Sequence, residues 1–103
     1  MKNIWLYLLV FLSITATKIY AQDYKTISNI HYYDDKINKG DSYINERCVL
    51  DIYIPKNVKN FPTVILFHGG GITGGEKEIP EALKNKGIAI IGVNYRLSPK
   101  VNA

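Results

Sequence analysis

Two kinds of hydrophobic pattern divide the chain after residue 21. Residues 26–33 alternate loosely between apolar and polar side chains, and residues 48–54 alternate until Pro55, which suits strands that bury one face. Residues 63–67 and 88–95 are instead apolar without alternation, as in strands covered on both faces. The pattern therefore predicts two strands that pair antiparallel, followed by two neighbouring strands of a parallel sheet.

The segments between these strands predict the connections. Residues 36–46 are polar, with glycine, aspartate and asparagine marking a loop or hairpin turn, and residues 56–62 predict a second turn. Residues 79–86 predict a short helix that has Pro80 in its first turn and Gly87 at its C-terminal cap. The predicted fold class is α/β, with an antiparallel strand pair preceding a right-handed βαβ unit.

A sheet of this kind needs more chain than is present. About three or four strands and one helix would leave one face uncovered and the far edge open. Residues 98–103 also look like a loop that is cut short. We therefore expect the sequence to be a fragment or a truncated reading frame, and the alternative is a small complete α/β module.

The first 21 residues have the order of a secretory signal peptide. A basic start at Lys2 precedes the mainly apolar run 4–14, and a more polar stretch ends at Ala21. A membrane-spanning helix needs about 20 apolar residues, so we expect export to the periplasm or medium, with no stable membrane span after cleavage. Cleavage after Ala21 is the prediction, and the alternatives are cleavage after Ala16 and an uncleaved signal anchor. Residues 22–103 then form the predicted α/β portion, which is truncated.

Composition and charge narrow the choice of function. The 47% hydrophobic and 21% charged residues are typical of a globular protein. From Gln22 onward, eleven basic and nine acidic residues are intermixed, and the absence of a basic stripe predicts no nucleic-acid partner. The single cysteine, Cys48, lies among apolar residues, which predicts a small buried side chain rather than a nucleophile.

The segment after the first buried strand carries the candidate chemistry. Residues 68–75 read HGGGITGG, and three consecutive glycines cost backbone entropy. They allow the backbone to bring free N–H groups close to a ligand oxygen. Acyl transfer needs such donors, because negative charge develops on the carbonyl oxygen. The loop also follows the carboxyl end of a strand, where open α/β sheets bind their ligands.

Four sequence elements resemble one known family. Residues 68–71 (HGGG) resemble the oxyanion motif of α/β-hydrolase lipases and esterases. The other elements are LDIYIP at 50–55, GEK at 75–77 and NYRLSP at 94–99, in the family's order and near its spacing. The chain is therefore similar, over residues 27–99, to the N-terminal part of an α/β-hydrolase sheet. The group it resembles is that of carboxylesterases and feruloyl esterases.

The resemblance implies roles for the residues of the loop. The N–H groups of Gly70 and Gly71 would face the oxyanion, and Gly69 would shape the turn. His68 would brace the loop through hydrogen bonds and would not act as the general base. A small-molecule ester, for which an acylated carbohydrate is one candidate, is the implied substrate. No metal or organic cofactor is implied.

The resemblance also implies that two residues of the NYRLSP element pack beneath the loop and stabilise it. Tyr95 and Arg96 would pack and bond there, and a surface salt bridge is the alternative for Arg96. Ile72 replaces an aromatic residue that is common in the family, which leaves the wall of the acyl pocket undefined.

The family's catalytic serine, acid and histidine have no counterpart in these 103 residues. No G-x-S-x-G pentapeptide occurs, and none of the four serines lies between glycines in this way. His31 precedes the loop, which is the wrong chain order, and it is expected on a strand surface. We therefore expect these residues alone to have no esterase turnover.

Two alternative functions stay open at this point. Residues 69–74 satisfy the G-x-G-x-x-G pattern of a dinucleotide-binding half-domain, and the pattern follows a strand. His68 intervenes, however, Pro80 interrupts the helix that should follow, and Asn94 lies where an acidic residue is expected. The second alternative is a non-catalytic exported binding module.

Overall fold

The scaffold is one mixed sheet of four strands, seen in a computed structural model that describes residues 22–101. The strands lie in the spatial order β1-β2-β4-β3. Their bounds are Tyr24–His31 (β1), Val49–Pro55 (β2), Thr63–Phe67 (β3) and Ala89–Val93 (β4). The predicted signal peptide lies outside the described residues. Within those residues, no helix has the length and apolar character to cross a membrane.

The strand pairing agrees with the hydrophobic pattern. β1 and β2 are antiparallel, and β3 and β4 are parallel from the Thr63–Ala89 pair to the Phe67–Val93 pair. β2 and β4 are antiparallel, which joins the two halves in one sheet. Both parallel strands therefore end at the same edge of the sheet, and this edge positions the glycine-rich loop.

The small core lies on the central strands β2 and β4. Its most buried apolar side chains belong to Cys48, Val49, Tyr53, Ala89, Ile90 and Val93. The burial of Cys48 confirms its predicted structural environment. The interpretation of residues 63–67 as covered on both faces does not hold within residues 22–101, because β3 is an edge strand there and its Val64, Ile65 and Phe67 are exposed. This exposure agrees with the expectation that a sheet of so few strands has an uncovered face and an open edge.

The predicted loop over residues 36–46 is wrong, since this segment forms two short helices. They are α1 (Asp35–Asn38) and α2 (Ser42–Arg47). The aspartates that suggested a turn are N-caps: Asp34 accepts the N–H of Ile37, and Asp41 accepts those of Tyr43 and Ile44. Turn formers and helix caps are the same residue types, so composition alone did not separate them.

The predicted helix over residues 79–86 is also wrong. Only Glu81–Leu83 form a turn of 3₁₀-helix, and the flanking Pro80 and Lys84 are extended. No side chain caps this turn. Gly87 has a φ of 73°, but it follows an irregular segment rather than a helix end. The connection between the parallel strands is therefore mostly irregular chain in the described residues.

The cap of α2 makes a testable contribution to stability. Asp41→Ala removes the acceptor of two N–H groups, at 2.9 and 3.2 Å, and should lower the free energy of unfolding by about 1 kcal/mol. Asp41→Asn keeps an acceptor oxygen and should retain most of that stability. Urea unfolding of the wild-type protein and of the two variants measures these free energies. An alanine variant as stable as the wild type would contradict the assignment.

Candidate active site

The loop at residues 68–75 has an unusual backbone. Four of its residues, Gly70, Gly71, Ile72 and Gly75, have positive φ values of 119°, 61°, 60° and 104°. A Cβ at Gly70 would clash with the Gly74 carbonyl, and one at Gly75 would clash with the Gly69 carbonyl. Glycine is therefore required at both positions, since the two halves of the loop approach each other through their backbones.

Two backbone donors in this loop are left unused. The Gly70 carbonyl accepts from the Thr73 N–H at 3.2 Å and from the Thr73 hydroxyl at 3.1 Å, which closes the turn. The N–H groups of Gly70 and Gly71 donate to no other group within residues 22–101. Both residues are exposed, and space is open around the Cβ position of Gly71. Adjacent exposed N–H groups of this kind can bind a negatively charged oxygen.

His68 is held at the start of the loop by four contacts. Its ring stacks on Tyr95, with ring centroids 4.3 Å apart, and its carbonyl accepts the Tyr95 hydroxyl at 2.6 Å. Its Nδ1 lies 2.8 Å from the Gly69 carbonyl, and its Nε2 lies 3.4 Å from a guanidinium nitrogen of Arg47. Both ring nitrogens thus face groups of the protein itself.

Arg47 is a residue that sequence reasoning missed. Its side chain is only 7% exposed, and it ion-pairs with the carboxylate of Glu76. It also donates to the carbonyls of Gly75 and Tyr95, both at 3.1 Å. These partners lie 28 to 48 residues away along the chain, so no local pattern pointed to them. The arginine joins the end of α2 to the glycine-rich loop.

A buried asparagine joins the sequence elements that resemble the family. The Asn94 amide donates to Glu76 at 2.9 Å and accepts the Lys77 N–H at 2.6 Å. The Lys77 ammonium lies 3.1 Å from the Asp51 carboxylate on β2. The elements at 50–55, 75–77 and 94–99 therefore meet in one polar network beside the loop. Arg96 forms no ion pair with any described residue.

This network changes the acidity of Glu76. The hydrogen bond from the Asn94 amide lowers the pKa of the Glu76 carboxyl most, and the Arg47 guanidinium lowers it further. Partial burial opposes both effects. The charged form of Glu76 is therefore the one that the network stabilises.

Two shallow cavities flank the loop. One has a volume of about 320 Å³ and lies between α2, Thr73 and residues 97–100. The other has a volume of about 190 Å³ and lies between residues 66–69 and Glu78. Among the described residues, no three potential metal ligands are grouped closely enough to hold an ion.

The backbone after the loop disfavours dinucleotide binding. In that kind of site, a helix begins at the third glycine and directs its N-terminus at the pyrophosphate. Here residues 75–80 have no helical structure, and the next turn is the 3₁₀ turn Glu81–Leu83. The described residues therefore lack the helix N-terminus that such a cofactor requires.

The lowered pKa of Glu76 predicts a pH-dependent contribution to stability. Because its folded pKa lies below the ordinary value of 4.5, the carboxylate stabilises the fold above about pH 4.5 and loses this effect as the pH falls through the folded pKa. Glu76→Gln should therefore be less stable than wild type near neutral pH, and the difference should shrink in acid. Urea unfolding across this range measures it. A difference independent of pH would contradict the prediction.

Comparison with known proteins identifies the family. The family model described as BD-FAE matches residues 50–103, which is just over half of the chain. Glutactin from Drosophila melanogaster is 29% identical over 58 residues. That alignment covers 54% of this chain and 6% of Glutactin, so the chain spans a small part of this relative. Because the family model covers the loop and the network around it, the chain belongs to the BD-FAE family of α/β-hydrolase-like esterases.

Proposed function

We propose that the protein is a serine-type carboxylic-ester hydrolase in which the N–H groups of Gly70 and Gly71 form the oxyanion hole. The observation that carries the proposal is the pair of adjacent amides, exposed at the carboxyl end of β3 and unbonded within residues 22–101. Membership of the BD-FAE family supports ester hydrolysis as the chemistry.

The proposed reaction is a double displacement. A serine hydroxyl attacks the ester carbonyl carbon, its proton passes to a histidine, and the carbonyl π electrons move to the oxygen. The resulting oxyanion accepts hydrogen bonds from Gly70 and Gly71. Its collapse breaks the bond to the alcohol, which leaves with the proton from the histidine. Water then repeats the sequence on the acyl-enzyme and releases the carboxylic acid.

In this proposal the loop supplies transition-state stabilisation and nothing else. The proposal assigns the serine, histidine and acid to chain beyond these 103 residues, since no G-x-S-x-G motif for the serine occurs in them. His68 is unsuited to be the base, since its two ring nitrogens face Gly69 and Arg47. Loss of one oxyanion donor costs about 3 to 4 kcal/mol of barrier, or about 10²- to 10³-fold in kcat.

The substrate and the compartment are part of the same proposal. A small-molecule ester is the substrate class, and an acylated carbohydrate is the first candidate, from the resemblance to feruloyl esterases. Export to the periplasm or medium follows from the leader-like pattern of residues 1–21.

Glycine replacement tests the oxyanion hole in the natural protein. Gly70→Ala should lower kcat by about 10²- to 10³-fold, because its Cβ would clash with the Gly74 carbonyl and turn the amide away. Gly71→Ala should lower kcat less, because its Cβ points into open space but its φ of 61° is strained for alanine. Steady-state hydrolysis of p-nitrophenyl acetate measures both.

Gly40→Ala is the matched control for these variants. Gly40 has a φ of 76° and open space around its Cβ, so it carries a similar backbone cost to Gly71 far from the loop along the chain. Its kcat should stay at the wild-type value. If Gly70→Ala, shown to be folded by circular dichroism, were as active as this control, the loop would not contain the oxyanion hole.

The isolated chain provides a separate prediction. The 103 residues alone should hydrolyse p-nitrophenyl acetate at the background rate, because they hold no nucleophile elbow. Ser98→Ala is the control, since the Ser98 N–H bonds the Ile72 carbonyl and makes Ser98 a serine in direct contact with the loop. A burst of p-nitrophenol that this substitution abolishes would contradict the prediction.

A further inference from the structure

We infer that Arg47 is a positioning residue that orients the Gly70 N–H toward the oxyanion. This inference rests on the proposed function and extends it to a side chain outside the loop. The contacts run from the Arg47 guanidinium to the His68 ring, from that ring to the Gly69 carbonyl, and thus to the peptide group that carries the Gly70 N–H.

The guanidinium is the buried partner of its ion pair. The Arg47 side chain is 7% exposed, whereas that of Glu76 is 71% exposed. A buried charge is tolerated only when hydrogen bonds replace its hydration. Arg47 meets this need with Glu76 and with the carbonyls of Gly75 and Tyr95, so the orientation of its planar fork is defined.

One nitrogen of that fork contacts both ends of the loop. The same terminal nitrogen lies 3.1 Å from the Gly75 carbonyl and 3.4 Å from Nε2 of His68. His68 is the first residue of the loop and Gly75 is the last. A single rigid group thus sets the separation of the two ends, and a lysine ammonium has no matching planar geometry.

The contact with His68 selects the tautomer of its ring. A guanidinium can only donate hydrogen bonds, so Nε2 of His68 must be the acceptor. The proton of the neutral ring is then on Nδ1, which donates to the Gly69 carbonyl at 2.8 Å. The opposite tautomer would direct an N–H at the guanidinium and a lone pair at the carbonyl, and both contacts would be lost.

The Gly69 carbonyl in turn determines the direction of the Gly70 N–H. Both belong to one planar trans peptide group, in which C=O and N–H point in opposite directions. A carbonyl that is held toward the His68 ring therefore turns the Gly70 N–H away from the ring. No other hydrogen bond within residues 22–101 holds this carbonyl.

Arg47→Lys and Arg47→Met in the natural protein test the inference. Both should lower kcat for a p-nitrophenyl ester by about 10- to 100-fold, because the Gly70 N–H is no longer oriented toward the oxyanion. KM should change less than about threefold, because the substrate still binds. Affinity for a boronate, which mimics the oxyanion adduct, should fall in parallel. The lysine variant should not rescue kcat, although it keeps the charge.

Lys84→Met is the control, because it removes a cation that pairs with Glu81 on the surface. It should leave kcat and boronate affinity unchanged. Arg47 variants that stay folded and keep wild-type kcat and boronate affinity would overturn the inference while leaving ester hydrolysis intact. A wild-type protein that hydrolyses no ester would instead overturn the proposed function.

The tautomer of His68 gives a readout that needs neither activity nor a folded variant. The ¹⁵N shifts of its ring in the wild-type protein should show the proton on Nδ1. A proton on Nε2 would overturn the inference even in an active enzyme. This measurement therefore decides the matter if substitution of the buried arginine prevents folding.

Discussion

Two adjacent backbone N–H groups that bond to no other group within residues 22–101 can bind a ligand oxygen only if the loop conformation keeps them available. In this chain the constraint falls on Gly70 and Gly71. The left-handed backbone of the loop and the close approach of its two halves define the conformation in which the proposal places both amides at the oxyanion. In the proposed site, the polar contacts of His68 and Arg47 support this conformation.

The sheet brings the supporting groups to one place. β3 ends just before the loop, and β4 ends just before Asn94. β2, which neighbours β4, carries Asp51. Three sequence elements that are far apart along the chain therefore share one hydrogen-bonded network with the loop. The three elements occur together in the sequence for a physical reason, because each supplies a hydrogen-bonding or charged partner for a residue of another element.

The four strands and the β1–β2 and β3–β4 pairs could be predicted from the sequence, because alternating and continuous apolar runs are typical of the two kinds of strand. The exposure of β3 and the β2–β4 pair could not, because both depend on the strand order in the sheet. The helices could not: Asp41 acts as a cap where it suggested a turn, and residues 79–86 lack the capping contacts that a helix needs. The loop was recognisable from its glycines. The role of Arg47 depends on partners distant along the chain, which no local pattern encodes.

The most direct measurement is a crystal structure of the protein, in the form that the organism makes, after reaction with a phosphonate ester. The account predicts a phosphonylated serine whose phosphoryl oxygen lies about 2.7–3.1 Å from the nitrogens of both Gly70 and Gly71. A structure in which these amides bond to their own backbone, with no serine hydroxyl within reach of the loop, would contradict it.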